Sequence, residues 1–289
     1  MPALSERVPP LAAPDAVIRT QPAGRQRGET RFSLKPIFCG CRIFGALVIV
    51  FLSIVPCTTR AQGGPPLLTD DPGTPGNGNW ELNIAYAAEK THGERSTDLP
   101  RVDINYGLGP NIQLKYEVAW SYLDQNASAT RSGLSNSLAG VKWRFLNEEQ
   151  AGINMSSYPQ IEFNNPTGSL DRGLVDNGPN LLLPIEASKT FGAATIVGEI
   201  GRWFRRDASD QWLCGVAISV PWSDSLELLA ELHTTTESSF GHADPVLNFG
   251  ARKLLNRSFS LLASAGTGLG NSEDRTELVV YVGLQLHIQ

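Results

Sequence analysis

From residue 79 to the end of the chain, apolar and polar positions alternate with a period of two. In one clear run, Leu114, Tyr116 and Val118 alternate with Lys115 and Glu117. Because successive side chains of a β-strand point to opposite faces, this alternation predicts strands with one apolar and one polar face. The sequence predicts twelve such strands, at 79–89, 99–108, 111–122, 134–146, 151–164, 180–191, 194–204, 211–220, 225–235, 244–254, 258–267 and 277–288.

The lengths of these segments and of their connections favour a membrane barrel. Most of the predicted strands have 10–14 residues, whereas a transmembrane strand needs about 9–11 residues and strands of soluble proteins usually have about 5–6. Long connections, such as 90–98, 123–133 and 165–179, alternate with short ones, such as 109–110 and 192–193. Outer-membrane barrels show this alternation because their periplasmic turns are short and their extracellular loops are long.

The predicted fold is an all-β, antiparallel transmembrane β-barrel of about twelve strands over residues 79–289, in the bacterial outer membrane. Lipid offers no partner for an exposed strand edge, so the sheet must close on itself. The apolar face then contacts outer-membrane lipid, the barrel-assembly machinery inserts the sheet, and the polar face lines a lumen for small solutes. The charged candidates for the lumen lining are Glu81, Arg101, Asp103, Lys115, Glu117, Lys142, Arg144, Glu162, Glu186, Glu199, Glu227, Glu231 and Arg252.

The predicted lumen is charged and slightly acidic, with eight acidic and five basic candidates. Opposite charges on neighbouring strands, Glu81 with Arg101 and Asp103 with Lys115, are expected to pair because unpaired buried charge is costly. Rings of carboxylates favour cations, so an open lumen is predicted to have a small, weakly cation-preferring conductance, with contributions from strand 225–235. A sealed, salt-bridged interior without conductance is the alternative.

A basic leader precedes the barrel. Residues 1–61 hold eight basic and three acidic groups, whereas 62–289 carry a net charge of −10. The uncharged, mostly apolar run 43–55 suits the hydrophobic region of a signal peptide, and Thr59-Arg60-Ala61 places small residues where a signal peptidase reads them. Residues 1–61 are therefore predicted to be a cleaved signal segment, with an N-terminal membrane anchor as the alternative.

An irregular segment, residues 62–78, is predicted between the leader and the first strand. It is rich in Pro, Gly and Asp, which favour turns over regular elements. Asp70 and Asp71 offer carboxylates to a cation, but an acidic pair in a turn is more often solvated, so no metal site is predicted there.

Composition excludes several functions. Charged residues make up 18% and hydrophobic residues 41% of the chain, which excludes both a polytopic helical membrane protein and a charge-rich disordered chain. The net charge of −5 leaves no basic footprint for nucleic acid. After leader cleavage Cys214 is the only cysteine, so internal disulfides are excluded. No glycine-rich loop opens a helix, and no cofactor is predicted.

Three classes of function remain: a transport or diffusion barrel, a structural or surface-interaction barrel, and a lipid hydrolase. A hydrolase would use His233 and Thr235, which share one strand face, with Ser238 and Ser239 nearby. Such an enzyme needs its histidine oriented by a third polar group and facing lipid. The alternation predicts that His233 faces inward, so the chain is predicted to be no enzyme.

The start of the predicted mature chain carries a family resemblance. The run Gly-Pro-Pro-Leu-Leu-Thr-Asp-Asp-Pro-Gly at 64–73, followed by Trp-Glu-Leu-Asn at 80–83, resembles the opening of the phenol-degradation meta-pathway outer-membrane transporter family. The resemblance covers roughly 64–289 and implies a bacterial outer-membrane barrel linked to uptake of hydrophobic or aromatic compounds. One departure is the C-terminal run 286–289, because barrels of this kind commonly end in an aromatic residue that helps assembly.

Overall fold

A computed structural model describes residues 64–125, 128–238, 243–270 and 275–289, and all regular elements discussed below lie there. The predicted signal segment, residues 1–61, lies outside the described residues. The strands are β1 (Trp80–Thr91), β2 (Glu94–Leu108), β3 (Ile112–Gln125), β4 (Arg131–Leu134), β5 (Ser137–Leu146), β6 (Asn154–Ser157), β7 (Gln160–Phe163), β8 (Asn180–Phe191), β9 (Ala194–Phe204), β10 (Gln211–Ser223), β11 (Leu226–Glu237), β12 (Ala243–Leu254), β13 (Phe259–Gly268) and β14 (Leu278–Ile288); a one-turn helix α1 spans Glu148–Ala151.

The sheet closes into an antiparallel barrel. The first strand pairs with the last along its length, with Trp80 opposite Ile288. β4 and β5 both pair with β3, and β6 and β7 both pair with β8, so each of these couples forms one interrupted barrel strand. The fourteen elements therefore make twelve barrel strands, and the predicted fold class is confirmed. Closure pairs the described strands on both sides, except at β4, which pairs with β3 alone.

The two faces of the sheet have opposite polarity. Outward-pointing Ile84, Ile200 and Val216 are 53%, 51% and 59% exposed. Inward-pointing Asn83 and Asn248, in contrast, are buried. An apolar outside and a polar inside is the reverse of a soluble core and is typical of a barrel surrounded by lipid.

Two connections predicted to be long loops are instead strand extensions. β1 and β2 continue through most of 90–98 and are joined by the two residues 92–93, and β3 continues to Gln125. Ion pairs accompany this extension: Lys90 Nζ lies 2.6 Å from Oε2 of Glu277, the residue before β14, and Arg95 Nη2 on β2 lies 2.8 Å from Asp124 Oδ2 on β3. The polar composition that predicted loops here belongs to paired strands beyond the apolar band.

The connections define two ends of the barrel. The short-turn end carries 109–111, 192–193, 224–225, 255–258 and the helix α1, and the long-loop end carries the connections between the other strand pairs. At α1 the side chain of Asn147 accepts a hydrogen bond from the Glu149 backbone N–H, and Gly152 ends the helix in the left-handed conformation, with φ of 75°. Among the described residues, no helix has the length and apolarity needed to cross a membrane.

Candidate functional site: the barrel interior

Residues 64–78, here called the luminal segment, fold into the barrel from the short-turn end. The segment is anchored at the rim by β2, where Gly78 N donates to Gly107 O at 2.8 Å and Gly107 N donates to Asn79 O at 2.9 Å. Further along the segment Thr69 is fully buried and Asp71 is 3% exposed. The sequence interpretation of 70–71 as a solvated turn is therefore wrong, because the closed sheet surrounds these residues.

Two acidic side chains of the wall hold the backbone of the luminal segment. Glu231 on β11 accepts hydrogen bonds from Leu68 N and Thr69 N, each at 2.8 Å, with one carboxylate oxygen for each. Glu199 on β9 accepts from Asp70 N at 2.9 Å. These backbone N–H groups have no strand partner, so the carboxylates satisfy donors that would otherwise be buried without one.

Two basic side chains hold the other polar groups of the segment. Lys142 Nζ on β5 donates to Asp70 Oδ1 at 2.8 Å and to the backbone oxygen of Asp71, and it lies 3.7 Å from Glu186 Oε2. Its side chain is only 2% exposed. A buried ammonium is tolerated only among such partners. These charged side chains of the wall therefore have their partners in the luminal segment, and the polar groups of the segment have theirs in the wall.

On the other side of the lumen Arg252 makes the corresponding contacts. Its Nη2 donates to Pro65 O at 3.2 Å, and its Nη1 lies 3.0 Å from Glu227 Oε2. Ser264 Oγ donates to Pro66 O at 2.7 Å. The segment is thus tied to β12 and β13 as well as to β5, β9 and β11.

Glycine makes room for the segment on the wall. A Cβ at Gly215, on the inward face of β10, would meet Thr69 Oγ1 and lie 2.9 Å from Thr69 Cγ2. At Gly107 a Cβ would collide with the backbone oxygen of Gly76. Side chains at either position are incompatible with the luminal segment where it now lies.

The two aspartates of the luminal segment have pKa values shifted in opposite directions. Burial raises the pKa of Asp71 to about 6, against the opposing effect of Lys142. Burial acts in the same direction on Asp70, but the charges of Lys142 and Lys115 outweigh it and hold the pKa of Asp70 below its ordinary value. Asp70 is therefore the firmly ionised partner of the wall lysines.

A ladder of alternating charge runs along β2 and β3. Lys115 Nζ lies 3.0 Å from Glu117 Oε2 and 3.7 Å from Asp103 Oδ1. Arg101 pairs with Glu117 and, at 3.8 Å, with Asp98. The expected pair of Asp103 and Lys115 is thus present.

The other expected pair, Glu81 with Arg101, does not fit the strand register. The register places Ala85 beside Arg101, while Glu81 lies opposite Asn105. The β1 residue beside Arg101 is therefore four positions beyond Glu81. The charge of Arg101 is balanced by Glu117 and Asp98 of the charge ladder instead.

Three lumen candidates are still to be placed, and they lie near the two ends of the barrel. Glu81 has His287 Nδ1 at 3.8 Å near the short-turn end. Arg144 donates to Pro110 O at 2.8 Å, at the rim of the same end. Glu162 accepts from Asn136 and Asn180 at 2.8 and 3.1 Å, at the long-loop end.

Two cavities remain around the luminal segment. The large cavity has a volume of about 380 Å³ and is lined by apolar Leu67, Leu182 and Leu213 as well as by the charge ladder. His233 and Thr235 also line it, so the candidate hydrolase pair faces the lumen, as the alternation predicts. The small cavity, about 30 Å³, lies beside Thr74, Glu81 and Gln113 and extends toward the short-turn end.

The connection 164–179 narrows the long-loop end. Ser169 is buried against the inward face of β4, where a Cβ at Gly133 would lie 3.0 Å from Ser169 Oγ. Arg131 Nη1 donates to the backbone oxygens of Arg172 and Gly173, at 3.0 and 2.6 Å. The longest loop therefore packs against the inward face of the wall at this end.

The feature that the sequence analysis missed is the occupation of the lumen by residues 64–78. Proline, glycine and aspartate are typical of turns, whether the turn lies in water or inside a barrel. The available signals were apolar Leu67 and Leu68 within the turn-rich run, and Gly215 in the inward phase of a strand. Glycine in a strand often marks a place where other chain approaches closely.

Comparisons with known proteins place the fold among outer-membrane barrels. No protein-family model matches the sequence, and no curated protein matches it. The solved structure titled as the COG4313 outer membrane channel from Pseudomonas putida F1 is similar, with a TM-score of 0.55 and 13% identity over 76% of this chain and 100% of that one. The KdgM porin has a TM-score of 0.51 at 12% identity (72% and 99% covered), and the NanC porin 0.52 at 8% (71% and 98%). At these identities the likeness establishes a shared barrel fold.

Proposed function

We propose that this protein is an outer-membrane transporter or diffusion channel that admits small solutes through its lumen. The observation that carries the proposal is the pair of cavities that follow one another along the polar interior of a closed barrel with an apolar outer face. Lipid contacts the outer face, and the solute contacts the interior. Export by a cleaved leader and insertion by the barrel-assembly machinery belong to the same proposal.

The solutes we propose are small hydrophobic or aromatic compounds. The resemblance of 64–73 and 80–83 to the phenol-degradation meta-pathway transporters supports this class. The large cavity supports it too, because its 380 Å³ suit a small molecule and Leu67, Leu182 and Trp203 line it. Bulky hydrophilic solutes are not expected to enter such a space.

The luminal segment is the barrier to such solutes in this proposal. A water molecule needs a cavity of about 10–15 Å³, so the small cavity of about 30 Å³ admits water and small ions only. A larger solute passes when the segment leaves its place on the wall. The protein should therefore conduct ions weakly as it stands and more strongly without the segment.

Planar-bilayer recording of the full chain and of a variant lacking 64–73 tests the proposal. We expect a small conductance for the full chain and a clearly larger one for the deletion, because the deletion removes the contacts to Glu231, Glu199 and Lys142 together with the obstruction. Unboiled protein should migrate faster on a gel than boiled protein in both cases, since the closed sheet resists detergent. Equal absence of current from two folded proteins would contradict transport.

The second candidate is a structural or surface-interaction barrel without transport. The tight fit of the luminal segment and the folded loop 164–179 favours it, since both ends of the lumen are restricted. It predicts no current from the full chain and no solute entry in a liposome-swelling assay. Recovery of the protein in the soluble periplasmic fraction would contradict both candidates.

A further inference from the structure

The large and the small cavity border on a common set of residues. Gly64, Pro65 and Asp70 of the luminal segment line both cavities, as do Asp103 on β2 and Lys115 on β3. A path that joins these two cavities therefore passes between the segment and these two wall residues. This place is called the constriction below.

We infer that ions cross the barrel along the wall formed by β2 and β3, and that Lys115 is the residue that sets charge preference at the constriction. The inference rests on the proposed channel function and deepens it. It assigns a selectivity role to one side chain, whereas the proposed function concerns the barrel as a whole.

The charges around the constriction explain why Lys115 is decisive. The small cavity is lined by four carboxylates, on Asp70, Asp71, Glu81 and Asp103, and by two ammonium groups, on Lys142 and Lys115. The acidic excess favours cations. The charge of Lys142 is balanced by the luminal segment, because its Nζ donates to Asp70 Oδ1 and to the backbone oxygen of Asp71.

Lys115 differs from Lys142 because its partners are side chains of the wall. Its Nζ lies between Asp103 at 3.7 Å and Glu117 at 3.0 Å, and its side chain is 10% exposed. Removing its charge takes the cation away from Asp103 and leaves Glu117 with Arg101 alone. Removing the charge of Asp103 leaves Lys115 with less compensation, so the two changes act in opposite directions.

The acidic residues of strand 225–235, Glu227 and Glu231, have a role different from that of the charges at the constriction. Both oxygens of Glu231 accept from the luminal segment, and Glu227 pairs with Arg252. Neither carboxylate is among the residues that line the two cavities. We therefore assign these two residues to holding the segment, and the charge preference expected of the lumen to the constriction.

The test is the reversal potential of single variants in planar bilayers under a potassium chloride gradient. Lys115→Met should raise the cation-to-anion permeability ratio by up to about 25-fold, since removing a unit charge about 4 Å from an ion in water favours a cation about fivefold and disfavours an anion about fivefold at room temperature. Asp103→Asn should lower the ratio. Lys115→Arg should leave it near the wild-type value, because the charge stays.

Two further variants control for changes in fold and in overall charge. Lys253→Met removes a lysine that lies exposed on the rim and bonds to Ser225 Oγ at 2.8 Å, and it should not move the reversal potential. Lys115→Met combined with Glu117→Gln restores the local balance and should return the ratio toward wild type. Heat-modifiable migration on a gel shows that each variant retains the barrel.

The outcomes separate this inference from the proposed function. If the wild type conducts and the Lys115 and Asp103 variants share its reversal potential, the path does not run along β2 and β3, and the inference is wrong. If neither the wild type nor the deletion of 64–73 carries current, the proposed channel function fails, and the selectivity role fails with it. Opposite shifts in the two variants would support both.

Discussion

Replacing Gly215 by valine should shift the luminal segment toward release from the barrel wall. Gly215 faces inward on β10, and its missing side chain leaves the space that the fully buried Thr69 fills. A Cβ there would lie 2.9 Å from Thr69 Cγ2 and 3.0 Å from Thr69 Cβ, and valine adds two methyl groups beyond it. Strand β10 is paired on both sides, so the segment is the part that must move.

The size of the effect follows from the contacts at risk. Overpacking of this kind costs about 1–3 kcal/mol, which changes the ratio of docked to undocked segment by about 5–150-fold. The three hydrogen bonds from 68–70 to Glu231 and Glu199 resist release, at about 1.5–3 kcal/mol each. Their loss is offset in part, because the released segment regains conformational entropy. A modest steric change therefore suffices to shift the balance.

Conductance and proteolysis measure the shift together. Gly215→Val should raise single-channel conductance toward that of the deletion of 64–73, and it should expose Asp70 and Asp71 to a protease that cleaves at aspartate. Gly198→Val is the matched control, because Gly198 lies opposite Val216 on the neighbouring strand and a Cβ there has no atom within 4 Å. Wild-type conductance and protease resistance in a folded Gly215→Val barrel would refute the account of the lumen.

Two other predictions concern lipid contact and pH. Ile200→Arg places a charge on the outward face midway along β9 and should destabilise the membrane-inserted barrel by about 2–4 kcal/mol in a denaturant titration. Ile200→Leu should leave the stability nearly unchanged, and equal effects of the two variants would mean that the face does not contact lipid. Since docking raises the pKa of Asp71 from 3.8 to about 6, ionised Asp71 weakens docking above about pH 6, and protonation strengthens docking as the pH falls toward 4. Conductance should therefore fall as the pH is lowered from about 6 to 4. Asp71→Asn should show low conductance already at neutral pH and a smaller pH dependence. An unchanged pH profile in this variant would contradict the role of Asp71 in docking.

The sequence predicts the barrel well because the alternation that identifies its strands arises within each strand. Lipid on one side and a polar lumen on the other impose a period of two on every strand, and Leu114 to Val118 carry it without reference to the rest of the chain. The strand ends are harder to predict, because residues 90–98 extend β1 and β2 by pairing with each other and with neighbouring strands. Propensity alone assigns such polar residues to loops, and only tertiary pairing makes them strands.

The contents of the lumen could not be predicted from alternation. The inward phase identifies Glu199, Glu231 and Lys142 as facing the interior, but it does not distinguish a charge that pairs with another strand from a charge that binds a second segment. That distinction depends on residues far apart in the chain, such as Thr69 and Gly215. Only the closed three-dimensional barrel brings them together.

The placement of charge also explains how one interior serves two purposes. On β9, β11 and β5 the acids and Lys142 bind backbone and side-chain groups of the luminal segment, so this side of the lumen is filled. On β2 and β3 the ion pairs are made between wall residues, with Lys115 close enough to act on Asp70 as well, and a cavity lies beside them. In the proposed channel, the barrier and the path therefore lie on different parts of one barrel. A change that releases the segment alters how much passes, whereas a change at Lys115 alters which ions pass.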